Sequence, residues 1–539
     1  MRTQSALAAA LVLGSVAVAA PHATAQSPGL HFRPAVFVDP SLAGSEGFVL
    51  YSAVSKRLVY ATHEGTTLLY RGGVEGAPTG VADFTGNYRN QVNLWTSADT
   101  GRTWQRLTFN GTGFFTNPAV NTGFSDPDLT TDAAGTLYGA GIDLANDSVF
   151  SSRDGGLTWP TGTVQCHEGD RPWLAGGRPG EVFLSTDSES DGHIIVRSTD
   201  YGATCGSTFS AAEGSGFYGY GKIFLDPHNG SLYQPATIGS GLGVVELPHA
   251  QAAFDSGHPA AFTPHKAVDT VTLNTFWKAV LALDRRGTLY LVWTSDDRKA
   301  GSSGGCSGAQ TPVANSLFLV QSTDGGHTWS APRTLAHPGT TVLWPWVVAG
   351  SAGNVNVAWY QYDRVVDLDC APAGARMSVM DTQLSGLTGG QVHQQTVDVV
   401  GRPVHDGQVC TSGTACVATG QDRRLGEFFT LALDARGCVM VATGDTTRTD
   451  PVTGNQLPTS RGLFTVQDRG TSLTGKDCAV SAPASTPVTV VPPISQPPTV
   501  SHSTGGGALA ATGLPWALPG GAAALLAFAV LLHRRRRAA

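Results

Sequence analysis

Ser97-Ala98-Asp99-Thr100-Gly101-Arg102-Thr103-Trp104 is the first of four copies of one pattern, S-x-D-x-G-x-T-W. It returns as Ser152-Arg153-Asp154-Gly155-Gly156-Leu157-Thr158-Trp159, as Ser198-Thr199-Asp200-Tyr201-Gly202-Ala203-Thr204-Cys205 and as Ser322-Thr323-Asp324-Gly325-Gly326-His327-Thr328-Trp329. The third copy ends in Cys in place of Trp. A motif repeated at intervals of tens of residues marks a modular fold. Its chemistry is that of a hairpin turn: Ser and Asp side chains bond nearby backbone groups. Gly supplies a positive-φ position, and Thr-Trp opens the next strand with a ring that packs between sheets.

Between the boxes run strand–turn–strand units with no long helical period. They span residues 129–142 around Ala133-Ala134-Gly135 and 222–233 around Pro227-His228-Asn229-Gly230. Further units span 279–293 around Asp284-Arg285-Arg286-Gly287, 346–359 around Ser351-Ala352-Gly353, and 428–442 around Asp434-Ala435-Arg436-Gly437. The long interval between Ser198 and Ser322 holds one unit without a box, about 222–268, and two units follow Trp329. With a first unit over 48–104, the count is seven. Six is the alternative, if the first and last segments complete each other's sheet.

The boxes resemble the Asp box of the sialidase-like β-propellers, and the resemblance covers most of residues 30–480. It implies an all-β propeller with the boxes on the outer rim, away from the ligand pocket, and the count of units makes it a β-propeller of seven blades, alternatively six. An ordinary small domain is shorter than this stretch, and a propeller is a single-domain fold that uses such a length. Only 14% of residues are charged and 67 are Gly, which suits a β-rich chain with many tight turns. The formal net charge of −7, with no basic stripe, argues against nucleic acid as a partner.

Residues 1–25 read as a secretory signal: Arg2, an apolar run over 6–20, and Ala23-Thr24-Ala25 as the cleavage site. A single Arg, with no twin-Arg pair, points to general secretion. Residues 481–508, rich in Pro, Ser, Thr, Val and Gly, form an extended stalk. Leu509-Ala510-Ala511-Thr512-Gly513 follows, then an apolar helix over 514–532 long enough to span a bilayer, then a basic tail over 533–539. This order resembles the cell-wall sorting signal of high-GC Gram-positive bacteria. The resemblance implies cleavage between Thr512 and Gly513 by a sortase and transfer of Thr512 to peptidoglycan. A plain membrane anchor through 514–532 is the alternative. Either way the expected location is the cell wall or the outer face of the cytoplasmic membrane.

Eight cysteines, all in the exported part, make an even set for an oxidising compartment. Eight cysteines allow 105 pairings, so the sequence leaves the connectivity open; pairing of neighbours would give Cys166–Cys205, Cys410–Cys416, Cys306–Cys370 and Cys438–Cys478. No metal or cofactor is expected, since there is no C-x-x-C. Asp187-Ser188-Glu189-Ser190-Asp191-Gly192 opens like a calcium loop, but Ser198 stands where a bidentate Glu is needed.

In propellers the ligand site lies where inner strands converge on the axis. Polar residues just before inner strands are therefore the candidates. Asp126, Asp128, Asp170 and Glu427 are the candidate catalytic carboxylates, and Arg89, Arg171, Arg424, Trp173 and Trp346 the candidate substrate-binding residues. Carboxylates, Arg forks and aromatic faces around one axis suit a sugar acid or a polysaccharide. Asp126 and Asp128, two apart on an extended segment, are expected to point the same way, and only one of Asp170 and Arg171 to face the pocket. The sialidase resemblance further implies an arginine triad, a Tyr–Glu nucleophile pair and an Asp acid/base. Arg89, Arg171 and Arg424 match the triad only by position in the repeat. Phe32-Arg33-Pro34 lacks a residue of the family's Phe/Tyr-Arg-Ile-Pro opening, and Glu246 is the remaining nucleophile candidate. Two functions follow: a surface glycoside hydrolase acting on an extracellular glycan or glycoconjugate, or a non-catalytic glycan- or protein-binding propeller on the same anchor.

Overall fold

Apolar alternation and punctuating turns produce seven antiparallel sheets of four or five strands, one after another along the chain. The computed structural model describes residues 29–63, 92–107, 125–143, 146–188, 192–206, 208–211, 216–218, 221–258, 261–269, 279–296, 314–336, 339–411, 416 and 421–479. The expected signal segment, stalk, sorting motif with Thr512 and Gly513, apolar segment and basic tail lie outside the described residues, as does Arg89. Among the described residues no helix is long and apolar enough to cross a membrane.

The blades occupy residues 45–106, 125–167, 170–211, 217–268, 279–336, 342–406 and 430–469. Neighbouring inner strands touch in sequence order, and Thr430–Leu433 of blade seven returns to Ser45–Ser52 of blade one, closing the ring. The architecture is a seven-bladed β-propeller. Its core is a set of seams between adjacent sheets. Val49, Leu58, Tyr60 and Trp95 of blade one meet Met440, Ala442, Phe464 and Val466 of blade seven. Tyr138, Ala140 and Val149 of blade two meet Leu174, Leu184 and Val196 of blade three. Second strands such as Leu232–Ile238 are buried along their whole length, as strands covered on both faces must be. A short helix, Ala250–Ser256, packs Phe254 on Phe209 and Phe183.

The first and last segments do share a sheet, but this does not reduce the count to six. His31–Phe32 and Val36–Phe37 pair with Arg461–Arg469 as outer strands of blade seven, while blade one keeps its own four strands.

Each box forms the turn between the third and fourth strands of its blade. In the first, Ser97 Oγ donates to Asp99 Oδ1 at 2.8 Å and accepts from Gly101 N at 2.7 Å. The other Asp99 oxygen accepts from Thr103 Oγ1 at 2.6 Å. The same bonds recur at Ser152/Asp154, Ser198/Asp200 and Ser322/Asp324. Each box also packs on the preceding blade. A Cβ on Gly101 would meet Phe464, one on Gly156 would meet Val59, and one on Gly326 would meet Val244. Where the third box lacks Trp, Cys205 is bonded to Cys166 of blade two. Cys410–Cys416 and Cys438–Cys478 are also paired as expected, and Cys370 is disulfide-bonded. Its expected partner, Cys306, lies outside the described residues.

Candidate functional site

Four inner strands open with the same irregularity. The register slips between Ser45 and Phe48, Ser125 and Asp128, Asp170 and Trp173, and Leu343 and Trp346. Inside these slips Glu46, Asp126, Arg171 and Trp344 take φ values of 50°, 50°, 64° and 48°. Non-glycine residues resist this region, and bulges of this kind re-aim side chains. In blade seven the corresponding place is taken by Gly426, at φ 68°. A Cβ on Gly47 would lie 2.3 Å from the Tyr60 hydroxyl, so the residue following Glu46 must be Gly.

The residue two places after the strained position points to the axis. Phe48, Trp173, Trp346 and Phe428 come from four blades, and every pair of these rings lies 5.3–6.3 Å apart between centroids. Trp173 and Trp346 are buried. They plug the channel rather than offering open faces to a sugar. Asp128 occupies the same step in blade two. It accepts from Leu174 N at 2.6 Å and is ion-paired with Lys222, whose ammonium stands 5.5 Å from the centre of the Phe48 ring. Burial drives the Asp128 carboxyl up and the Lys222 ammonium down, and each partner offsets part of the other's desolvation. Asp128 thus belongs to the plug, and it does not share the surroundings of Asp126.

Above the plug lies a charged layer. Arg171 reaches Asp187 at 3.7 Å, Glu427 at 3.8 Å and Asp170 at 3.9 Å. The strained backbone of Arg171 breaks strict alternation, so Asp170 and Arg171 both join the layer. Arg423 is ion-paired with Glu427. Glu46 accepts from Glu427 N at 2.6 Å and contacts His63 Nε2 at 2.8 Å, both groups fully enclosed. Asp187 contacts His193 Nδ1 at 2.8 Å, and His193 Nε2 meets Gln234 at 2.8 Å. Burial, then the like charges of Glu46, Asp170 and Glu427, hold the Asp126 carboxyl well above the usual carboxylate range; its bond from Ser125 Oγ, 2.6 Å, opposes them weakly. Burial also pushes Asp147 well up; the Thr186 hydroxyl offsets a little from outside hydrogen-bond geometry, and Asp170 and Asp187 add to the rise.

Of the residues expected from sequence, Asp126, Asp170, Arg171 and Glu427 come together, and Asp128, Trp173 and Trp346 lie beneath them. Arg424 does not join. Its guanidinium is bound to Asp422 at 2.6 Å and to the Leu457 and Thr446 carbonyls, and Arg423 faces the axis instead. Arg33 bonds Thr100 O at 2.7 Å, in the first box at the opposite end of the strands. Glu246 sits on the third strand of blade four with His265 at 2.9 Å and Tyr233 at 3.0 Å, away from the charged layer. Glu46, Asp187 and Asp147 are site residues that sequence reasoning missed, and Arg423 was passed over for its neighbour Arg424. A readable signal existed for the first: Glu46-Gly47-Phe48 matches Arg171-Pro172-Trp173 and Trp344-Pro345-Trp346 in form. Among the described residues no group of three or more His, Cys, Asp or Glu side chains is placed to hold a metal ion.

The class is therefore a disulfide-linked, seven-bladed β-propeller with a plugged axis and a carboxylate-rich mouth. No family model matches the chain, and no curated protein matches it in sequence. Solved structures similar to it include the NanB sialidase of Streptococcus pneumoniae, at 11% identity, TM-score 0.37, 81% of this chain and 70% of that one. The α-L-arabinofuranosidase Arb93A of Fusarium graminearum is similar at 12% identity, TM-score 0.34, 81% and 97% coverage. YCF48 bound to a D1 peptide is similar at 11% identity, TM-score 0.41, 82% and 97% coverage. At these identities and TM-scores the likenesses carry no argument about activity.

Proposed function

We propose that the axial mouth is the active site of a glycoside hydrolase acting on an extracellular glycan. The observation that carries this reading is the Asp126 carboxyl, held at a strained bulge, its proton affinity raised by burial and like charge, and set in one layer with the solvent-open Asp170. Glycoside hydrolysis needs one carboxylic acid to protonate the leaving oxygen and a second carboxylate as base or nucleophile. Asp126 takes the first role and Asp170 the second. Glu46 fixes the backbone of Glu427, and Arg171 ties Glu427 to Asp170 and Asp187. The test is a panel of aryl glycosides with Asp126→Asn and Asp170→Asn, folding being checked by circular dichroism. Each change is expected to lower kcat by about 10²–10⁴-fold. Turnover that survives both changes removes these carboxylates from the chemistry.

A second reading is a glycan-binding propeller without turnover. The burial and ion pairing of Glu427, Arg171 and Arg423 favour it, since such groups also serve as structure. Glycan binding with no turnover on any substrate is its expected signature.

We propose further that the chain is exported and held at the cell wall through Leu509-Ala510-Ala511-Thr512-Gly513. The oxidised cysteines support an oxidising compartment. Thr512→Ala is expected to move the protein out of the wall fraction; unchanged wall attachment rejects the sorting step.

A further inference from the structure

The charged layer is sorted by depth. The Asp170 side chain is 51% exposed and that of Asp187 25%, whereas Arg171 and Arg423 are each 8% exposed. A ligand entering from solvent therefore meets carboxylates before guanidiniums. Both arginines are committed already, Arg171 to three acids and Arg423 to Glu427. A carboxylated sugar would have to pass Asp170 and break an internal ion pair to gain a new one, and breaking a buried pair strands a charge.

A second observation points the same way. Asp147 is wholly buried, and neither of its carboxyl oxygens makes a hydrogen bond. It lies within the electrostatic reach of Asp170 and Asp187, which raise its proton affinity. Asp147 is thus a further acid beside Asp170 and Asp187, in addition to Asp126 and Glu427, and a negative charge brought to the mouth would be felt by all of them. An ammonium group would be attracted by Asp170 and Asp187 at the entrance and would relieve the same repulsion.

From this arrangement we infer that the sugar unit entering the mouth carries no carboxylate or sulfate, and that a free amine on it favours binding. The inference rests on the reading of the mouth as a glycan site and names its substrate class. Hydroxyl groups donate to the exposed carboxylates in either case; the amine adds a charge-assisted bond.

The experiment compares a glucosamine oligosaccharide, its N-acetylated counterpart and a sialylated oligosaccharide by calorimetry. It uses the full chain carrying Asp126→Asn, which slows turnover at the proposed acid and leaves Asp170 and Asp187 in place. The amine-bearing ligand is expected to bind at least about tenfold more tightly than the sialylated one, a difference that shrinks with added salt. Asp187→Asn is expected to narrow the preference for the amine over the N-acetyl form. Tightest binding of the sialylated ligand, or equal binding of all three, overturns the inference and leaves the glycan site standing. Binding of none of the three overturns the glycan reading itself.

Discussion

Cys205 stands where the other three boxes carry Trp, and it is bonded to Cys166 in the outer strand of the preceding blade. Elsewhere the boxes hold the blade before them by packing: Trp104 lies edge-on to Phe464 of blade seven at 5.1 Å. At the seam between blades two and three a covalent bond does that work. Replacing both cysteines by Ser is expected to destabilise the propeller by about 2–4 kcal/mol, the usual range for a bridge of this kind. Urea denaturation of the double variant beside wild type checks it, and coincident curves reject it.

Box glycines serve close approach as much as conformation. Gly156 has φ 93°, and a Cβ there would sit 2.4 Å from Val59 Cγ2 of blade one. Gly374 has φ 85° with nothing within 4 Å of its would-be Cβ. Gly156→Ala is therefore expected to cost well over the ~1 kcal/mol expected of strain alone, and more than Gly374→Ala. Thermal unfolding of the two variants decides it; equal shifts would mean that the contact with blade one contributes nothing.

Asp381 is buried between strands of blade six. Asn356 Nδ2 donates to Asp381 Oδ1 at 2.9 Å, while Asp381 Oδ2 and Asn356 Oδ1 have no hydrogen bond. Burial pushes this carboxyl up to about 8, the Asn356 bond opposing it weakly. The folded protein then holds a proton that the unfolded chain releases above about pH 4. The stabilising contribution is full below that pH, falls as pH rises toward 8 and levels off beyond it. Asp381→Asn should thus gain on wild type between pH 5 and pH 9. A difference in urea midpoint that stays constant across this range contradicts the assignment.

Arg423 is the counter-charge for Glu427 and lies within the field of Glu46 and Asp126. Removing it leaves the buried Glu427 to Arg171 alone, 3.8 Å away, so Arg423→Ala is expected to cost about 3 kcal/mol, the low end for breaking a buried pair. Adding Glu427→Gln to that variant should recover a substantial part of the loss. A double-mutant cycle in which the two effects simply add shows that the pair is not coupled.

The fold was legible because its information is local. A Ser and an Asp two residues apart, a Gly and a Thr close each box turn, and in turns such as Asp284-Arg285-Arg286-Gly287 the Asp carboxylate accepts from the backbone of its own turn. The site was legible in part. Asp126, Asp170, Arg171 and Glu427 stand before apolar runs, and that position alone places them near the axis. Strict alternation failed at Asp126 and Arg171, where a positive φ turns the chain. Arg423 and Arg424 are adjacent, and which one faces the mouth is decided by Asp422, which captures Arg424. Asp187 and Asp147 lie at strand ends whose approach depends on how blades two and three stand against each other, and no local pattern encodes that.

Cys478 lies beyond the last strand of blade seven and is bonded to Cys438, where the second strand of that blade begins. A pull on the chain past residue 479 therefore reaches the sheet at two strands, Arg461–Arg469 directly and Val439–Asp445 through the bridge. Both are flanked on either side, the first by His31–Phe32 and Val36–Phe37 and by Val439–Asp445, the second by Arg461–Arg469 and Thr430–Leu433. With the bridge intact the two strands bear the load together; with it reduced, Arg461–Arg469 bears it alone.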